Sequence, residues 1–263
     1  MPQPAALIDS HAHLDDRKLA SRQDEVLARA REAGVVTVVN IGADIPSSRA
    51  SVELAHRESM VFAAVGVHPH DASDVDDAAM AELRRLAADE RVVAVGESGL
   101  DFYRDLSPRD AQRDAFAQHL ALADALGLPI VIHCRDAYEE CLEVVRCERD
   151  APVAGVLHCF QGDAAAARGA LDLGLCIAVG GSITFPREEA LRRVVAGLPL
   201  DRLLVETDAP YLTPRPRRGR NEPAYVRFVA QRVAQLLRVP GDRVAEATTA
   251  NARSLFRLPH AVA

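Results

Sequence analysis

The sequence carries histidine motifs whose spacing suits metal binding. The segment LIDSHAHLD at residues 7–15 is an apolar run that ends in His11 and His13, with Asp9 and Asp15 on either side. Because alternate side chains of a strand point to the same face, both imidazoles are expected to face one point. Imidazole nitrogens beside carboxylates are good ligands for transition metals. The segment therefore predicts a metal site at the end of a first strand.

Polar motifs of a similar kind follow most of the other apolar runs. In chain order they are HPH at 68–70, GES at 96–98, HCRD at 133–136, HCF at 158–160 and ETD at 206–208. The candidate metal ligands are four histidines and two carboxylates: His11, His13, His133, His158, Glu97 and Asp208. One tetrahedral ion with an open water position needs fewer ligands, so two divalent ions that share a bridge fit better. These donors suit Zn²⁺ or Mn²⁺ and tolerate Mg²⁺.

Glu97 is the predicted bridge between the two ions. A bridging carboxylate can hold two ions about 3.5–4 Å apart, a spacing that stabilises both attacking and departing oxygens in phosphoryl or acyl transfer. Some barrel hydrolases use a carbamylated lysine instead, but the only lysine, Lys18, lies in the loop after the first strand. An ion pair with a nearby arginine is the alternative interpretation of Glu97.

Eight short apolar runs are the predicted strands that position these motifs. They cover residues 7–9, 35–42, 61–67, 92–96, 129–133, 153–158, 175–181 and 202–207. Near-continuous hydrophobicity is typical of parallel strands covered by helices, and strand starts about 22 to 37 residues apart favour one (β/α)8 TIM barrel domain over residues 1–263. The competing doubly wound sheet lacks its GxGxxG after the first strand. In a barrel, all carboxyl strand ends meet at one face, which would bring the motifs together.

Helical segments with recognisable ends lie between the runs. At 107–127, Ser107 is the predicted N-cap and Gly127 the left-handed stop. Apolar spacing predicts two further helices, about 222–237 and 242–256, that cover the barrel. No exposed apolar stripe indicates a protein partner.

Composition narrows the cellular setting. A formal net charge of −7 and a pI near 5.7 argue against a generally basic nucleic-acid-binding surface, although a local cationic rim is compatible with both. An odd number of cysteines without a CxxC pair, and no basic and apolar leader, predict a reducing, cytoplasmic location. The apolar runs are shorter than the roughly 20 residues of a membrane span, so no membrane association is expected.

The ordered motifs HAHLD, GVHPH, GESGLDF, HCRDA, LHCF and ETDAPYL resemble the TatD family of metal-dependent deoxyribonucleases, within the metallo-dependent hydrolase barrels. The resemblance runs from about Ile8 to Phe256. Departures are small, because Ser98, Cys134 and Gln161 stand where the family commonly has threonine, threonine and serine, and none removes a ligand. The resemblance implies a two-metal site and exonucleolytic hydrolysis of DNA phosphodiesters, with single-stranded 3′ ends as the substrate.

The resemblance also assigns the ligands to individual ions. It places the first metal among four ligands, namely His11, His13, Glu97 and Asp208. It places the second metal among Glu97, His133 and His158. Asp208 would in addition orient or deprotonate the attacking water, which makes Asp208 and Glu97 the expected catalytic residues.

Several basic residues are candidates for binding the DNA substrate. The loop LTPRPRRGRNEPAY is the one local concentration of arginine, and guanidinium groups match phosphate oxygens. The predicted substrate-binding residues are Arg215, Arg217, Arg218 and Arg220 of this loop, with Arg135 and His70. The alternatives are a solvated loop, an ion pair of Arg135 with Asp136 and an exposed loop histidine.

Two other functions are compatible with the same residues. A hydrolase of the same barrel type could act on an amide, a lactone or an aminoacyl ester, because a Lewis acid and an activated water serve all of these reactions. A non-catalytic binding protein stabilised by metal is the second alternative. It predicts a closed site, whereas an open barrel mouth favours catalysis.

Overall fold

The computed structural model describes residues 5–149 and 152–259, which contain eight strands paired in parallel in the order β1 to β8. The strands are β1 (Leu7–Ala12), β2 (Val35–Ile41), β3 (Val61–Val65), β4 (Val92–Asp101), β5 (Ile130–Arg135), β6 (Gly155–Leu157), β7 (Cys176–Val179) and β8 (Leu203–Val205). Nearly all of their residues are buried, as strands covered on both faces require. The predicted (β/α)8 TIM barrel is confirmed.

The sheet closes where the chain leaves β8 and meets the end of β1. Ala12 pairs in parallel with Ala209, the His11 oxygen accepts the Asp208 amide at 2.9 Å, and the His13 amide donates to the Ala209 oxygen at 2.7 Å. These backbone bonds hold two predicted ligand segments side by side at the carboxyl end of the barrel.

Helices surround the barrel. The α-helices are α1 (Gln23–Glu32), α2 (Ile45–Arg57), α3 (Asp77–Ala87), α4 (Arg109–Leu126), α5 (Tyr138–Glu148), α6 (Ala164–Asp172), α7 (Glu189–Val195), α8 (Val226–Leu237) and α9 (Gly241–Phe256). Short 3₁₀ helices cover Ala20–Arg22, Pro69–Asp74, Gly181–Thr184, Leu200–Arg202 and Pro223–Tyr225. Within the two described ranges, no helix combines the length and apolar character needed to cross a membrane.

One helix start differs from the sequence prediction. Ser107 does not cap α4, which begins at Arg109 without a side-chain cap, although Gly127 ends it in the left-handed conformation as predicted. The Ser107 hydroxyl instead donates to the His70 oxygen at 2.7 Å and accepts from the Ser73 amide at 3.2 Å. The serine therefore fixes the loop after β3 rather than the helix.

The barrel interior is filled with apolar side chains at the end opposite the motifs. Ile8, Val131 and Leu204 belong to this inner cluster, and Phe256 of α9 packs into it. The prediction that the C-terminal helices cover the barrel is confirmed for α9, which contacts both β1 and β8. Because this end is packed, the motif-bearing face is left as the place for a site.

Candidate metal centre

The six predicted ligands converge at the carboxyl ends of the strands. Each ligand lies on a strand or just after one: His11 on β1, His13 after β1, Glu97 on β4, His133 on β5, His158 after β6 and Asp208 after β8. His11 Nε2 lies 3.2 Å from His13 Nε2, as their spacing predicts. Two groups of three among these ligands have donor atoms within 4.8 Å of one another, namely His11 with His158 and Asp208, and His11 with His13 and Glu97.

Glu97 lies at the centre of the cluster, and its two oxygens face different histidines. Oε1 is 2.7 Å from His133 Nδ1 and 2.8 Å from His158 Nε2. Oε2 is 3.3 Å from His11 Nε2 and 3.7 Å from His13 Nε2. A carboxylate with one oxygen toward each of two nitrogen groups has the disposition that a bridging ligand needs.

Asp208 completes the group around His11 and His13. Its Oδ1 lies 3.8 Å from His11 Nε2 and 3.5 Å from His13 Nε2, and the side chain is 13% exposed. Burial alone would raise the pKa of Asp208, but the hydrogen bond from His13 and the nearby histidines hold it below its usual value. The carboxylate is therefore ionised and reaches the cavity above the cluster.

The electrostatics of the cluster suit cations. Burial opposes ionisation of Glu97, yet the neighbouring histidines, His158 first among them, hold its pKa well below the usual range. Burial also disfavours the charged form of His13, which by itself would lower its pKa. Hydrogen bonding to Asp208 and the charge of Glu97 outweigh burial and raise the pKa of His13 to about 9. A centre of ionised carboxylates ringed by imidazole nitrogens has the donor chemistry that divalent transition metals prefer, so the residues fit the predicted ions.

The structure adds His68, which sequence reasoning did not assign. Its Nε2 lies 3.5 Å from Glu97 Oε1 and 3.2 Å from His133 Nδ1, and the three residues form one of the groups able to hold an ion. Burial, and then the neighbouring His133, keep the pKa of His68 well below its ordinary value, so the imidazole is neutral. The two histidines of HPH have the same spacing as those of HAH, and this spacing is the sequence signal that could have identified His68.

Buried carboxylates behind the cluster orient its histidines. Asp101 Oδ2 lies 3.2 Å from His133 Nε2 and 2.9 Å from His70 Nε2, while Oδ1 accepts the amides of Tyr103 and Arg104. Asp101 thus caps the turn after β4 and also supports a predicted ligand, His133. Carboxylates that accept the far ring proton of a ligating histidine fix its tautomer and orientation.

Glu206 occupies a similar position behind His158, and the sequence did not single it out. Its Oε1 accepts the Cys159 amide at 2.6 Å and lies 3.5 Å from His158 Nδ1. Glu206 Oε2 is buried without a hydrogen-bond partner, as is His158 Nδ1.

Asp9, the first acid of the opening motif, supports the backbone rather than the cluster. It accepts hydrogen bonds from the Thr207 amide at 2.8 Å and the Thr207 hydroxyl at 2.6 Å. Complete burial raises its pKa to about 8 despite these bonds. Asp9 therefore ties β1 to the segment that carries Asp208.

Two cavities, of about 380 and 640 Å³, lie over the cluster and share several lining residues. Both are lined by His70, and the larger one is also lined by Arg135, whose guanidinium lies 4.0 Å from the centre of the Tyr103 ring. These two predicted substrate contacts are therefore close to the metal centre.

The arginine-rich loop takes a different course. Among the described residues, the linings of these two cavities include none of Arg215, Arg217, Arg218 and Arg220. Arg215 lines a separate cavity with Thr184, and the other three line a cavity of about 320 Å³ beside α1. Their direct contact with the reacting phosphate is therefore not supported by the geometry.

Comparisons with known proteins agree with the fold and the motifs. The family described as TatD related DNase matches residues 8–257. The metal-dependent hydrolase YabD of Bacillus subtilis is 41% identical over 253 residues, which are 96% of this chain and 99% of YabD. The 3′-5′ ssDNA/RNA exonuclease TatD of Cronobacter turicensis is 41% identical over 240 residues, covering 89% of this chain and 91% of that protein.

Solved structures lead to the same family. The crystal structure of YjjV, a TatD homologue from Escherichia coli K12, superposes with a TM-score of 0.90 at 31% identity, covering 96% of this chain and 98% of that one. The chain therefore belongs to the TatD family of metal-dependent hydrolases.

Proposed function

We propose that the protein is a two-metal exodeoxyribonuclease that removes nucleotides from the 3′ ends of single-stranded DNA. The observation that carries the proposal is the Glu97 carboxylate, which directs one oxygen to the His11 and His13 side and the other to the His133 and His158 side. Relatives from Cronobacter turicensis and Erwinia amylovora named 3′-5′ ssDNA/RNA exonuclease support the substrate class.

Two divalent cations fit the donors of this centre. His11, His13, Glu97 and Asp208 would hold the first, and Glu97, His133 and His158 the second. When bound, such ions lower the pKa of water and neutralise charge that develops on a phosphodiester.

The side chains of the chain itself supply positioning and proton transfer. Asp208 is ionised and reaches the cavity, so it orients the attacking water and accepts its proton. Glu97 and the histidines around it are buried or mostly buried, which fixes their geometry before substrate binds.

His70 and Arg135 are the proposed contacts to the substrate phosphates. His70 Nε2 lies 2.9 Å from Asp101 Oδ2, which holds the imidazole in place at the wall of both cavities. The exposed Arg135 has its guanidinium stacked on Tyr103, so its charge faces the larger cavity in a restricted orientation.

A time course with end-labelled, single-stranded DNA tests the proposal. Purified protein is incubated with Mg²⁺ or Mn²⁺, with an EDTA control and with an RNA strand of the same sequence. Glu97→Gln removes the central carboxylate, and Glu143→Gln makes the same change on the exposed side of α5 as a matched control. A ladder that shortens from the 3′ end in wild type and Glu143→Gln, but not in Glu97→Gln or EDTA, is expected.

The same experiment separates the alternatives. If DNA stays intact and the protein hydrolyses an amide, a lactone or an aminoacyl ester in a metal-dependent manner, the protein is a hydrolase of that other bond. Intact DNA without hydrolysis of any of these, and a protein that unfolds on chelation, would favour a metal-stabilised binding protein.

A further inference from the structure

A continuous series of contacts leads from the metal centre to the arginine-lined cavity beside α1. Tyr211 lines both cavities over the cluster, and its ring centre lies 6.3 Å from that of His13, edge to face. The ring is 44% exposed, although the hydroxyl donates to Asp16 at 2.7 Å and is thereby fixed. An exposed aromatic face held rigidly at the rim of a site is available for stacking.

Lys18 continues the series. Its ammonium lies 4.4 Å from the centre of the Tyr211 ring, and its backbone oxygen accepts a hydrogen bond from Arg220. Both residues are exposed. The only lysine of the chain thus joins the rim of the metal site to the arginine-rich loop.

The cavity beside α1 carries an excess of positive charge. Its lining includes Arg217, Arg218 and Arg220. Glu222, an acid of the same lining, is occupied by Arg29 through three hydrogen bonds of 3.0, 2.9 and 2.6 Å. The guanidinium of Arg217 donates to the Tyr225 hydroxyl at 3.1 Å, a partner without negative charge. The cationic groups are therefore left to attract an anion.

We propose that the path over Tyr211 and Lys18 into this cavity is a binding track that leads the single strand from the rim of the metal site away from the bond that is cut. One unpaired base stacks on Tyr211, and the following phosphates bind Lys18 and the arginines of the cavity. The proposal rests on the proposed nuclease function. The occupant is single-stranded nucleic acid because stacking requires an unpaired base, and because guanidinium groups match phosphate oxygens.

The track explains why the arginine-rich loop lies outside the metal cavities. A terminal dinucleotide occupies the metal centre alone, whereas a longer strand reaches the loop. Binding strength along the track depends on salt, because each phosphate contact displaces counterions from the strand.

Amine labelling of the single lysine tests the track without relying on turnover. An acetylating N-hydroxysuccinimide ester is applied to wild-type protein with Mg²⁺ and either a dinucleotide or a 12-nucleotide strand, both with phosphorothioate linkages. Mass spectrometry of the Lys18 peptide then gives the rate of modification. We expect the 12-nucleotide strand to slow it at least about fivefold and the dinucleotide to leave it unchanged.

Kinetics with charge variants provide the second readout. In Lys18→Gln/Arg220→Gln, the ratio of kcat/KM for the 12-nucleotide strand to that for the dinucleotide is expected to fall about tenfold. The slope of log affinity against log salt is expected to weaken by about 1.4, or roughly 0.7 for each lost phosphate contact. Arg168→Gln, an exposed arginine on α6, is the control with the same kind of charge loss. Lys18→Gln alone leaves Arg220 bound to the backbone oxygen of residue 18. This single variant therefore still tests the track if the double variant does not fold.

The outcomes separate the track from the nuclease function. Wild-type protein that cuts DNA, but shows equal Lys18 labelling with both strands and an unchanged salt slope in the variants, would disprove the track and leave the function intact. Wild-type protein that neither cuts nor binds either strand would overturn both.

Discussion

Asp101→Asn tests how the ligands of the second metal are held in place. Asp101 Oδ2 lies 3.2 Å from His133 Nε2, on the opposite side of the ring from the Nδ1 that faces Glu97. With Nδ1 given to a metal, Nε2 carries a proton that Asp101 accepts. The oxygen of the introduced asparagine can still accept the hydrogen bonds from the amides of Tyr103 and Arg104. Its NH₂ group then faces the N–H of the imidazole, and two donors cannot form a hydrogen bond.

The expected cost follows from the loss of this support. Removing a carboxylate that orients a ligating histidine lowers metal affinity by about 10- to 100-fold, which corresponds to about 1.4–2.7 kcal/mol. Because Asp101 contacts His133 but not His11 or His13, only one of the two ions is expected to bind more weakly.

Competition titration with a chromophoric chelator measures both affinities. Asp105→Asn is the matched control, because this acid lies in the loop directly after β4, is exposed and pairs with Arg109 at 3.2 Å. Circular dichroism verifies that both variants are folded. Wild-type affinity of Asp101→Asn for two ions, or equal weakening of both, would refute the assigned function of Asp101.

Two further predictions concern stability. His119 is buried and its pKa is lowered to about 4, mainly by burial. The unfolded chain therefore binds a proton below pH 6.5 that the folded chain does not. The contribution of His119 to stability is complete above pH 6.5, and it falls toward pH 4 by roughly 3 kcal/mol in the metal-free protein. In His119→Gln this part of the pH dependence of urea unfolding should vanish, and an unchanged dependence would contradict the reasoning. In Gly99→Ala the new Cβ would lie 2.0 Å from the His133 oxygen at a φ of +148°, so a loss of about 1–3 kcal/mol is expected in the same assay. Gly241→Ala, with no heavy atom within 4 Å of the new Cβ, is the tolerated control.

The barrel and the convergence of the ligands were predictable because they depend on local patterns. Apolar runs of strand length, repeated at barrel spacing, identified all eight strands, and the strand ends then had to share one face. The end of β4 was harder to predict from the sequence. The predicted run ended at Gly96, whereas the strand continues to Asp101 through polar residues and through Gly99, whose missing side chain permits close contact with β5.

Contacts between distant segments were not predictable. Ser107 stands where a cap is normal, but its hydroxyl bonds the His70 loop. His68 becomes part of the cluster only because the loop after β3 turns toward Glu97. In the arginine-rich loop Arg217 contacts Tyr225 and Arg220 contacts Lys18, and no spacing in the sequence indicates these contacts.

Anomalous diffraction from crystals grown with Mn²⁺ is the most direct test of the central claim that Glu97 bridges two ions. The account predicts two anomalous peaks, one at coordination distance from each Glu97 oxygen, the first also close to His11 and His13 and the second close to His133 and His158. A single peak, or peaks that leave Glu97 uncoordinated, would contradict it.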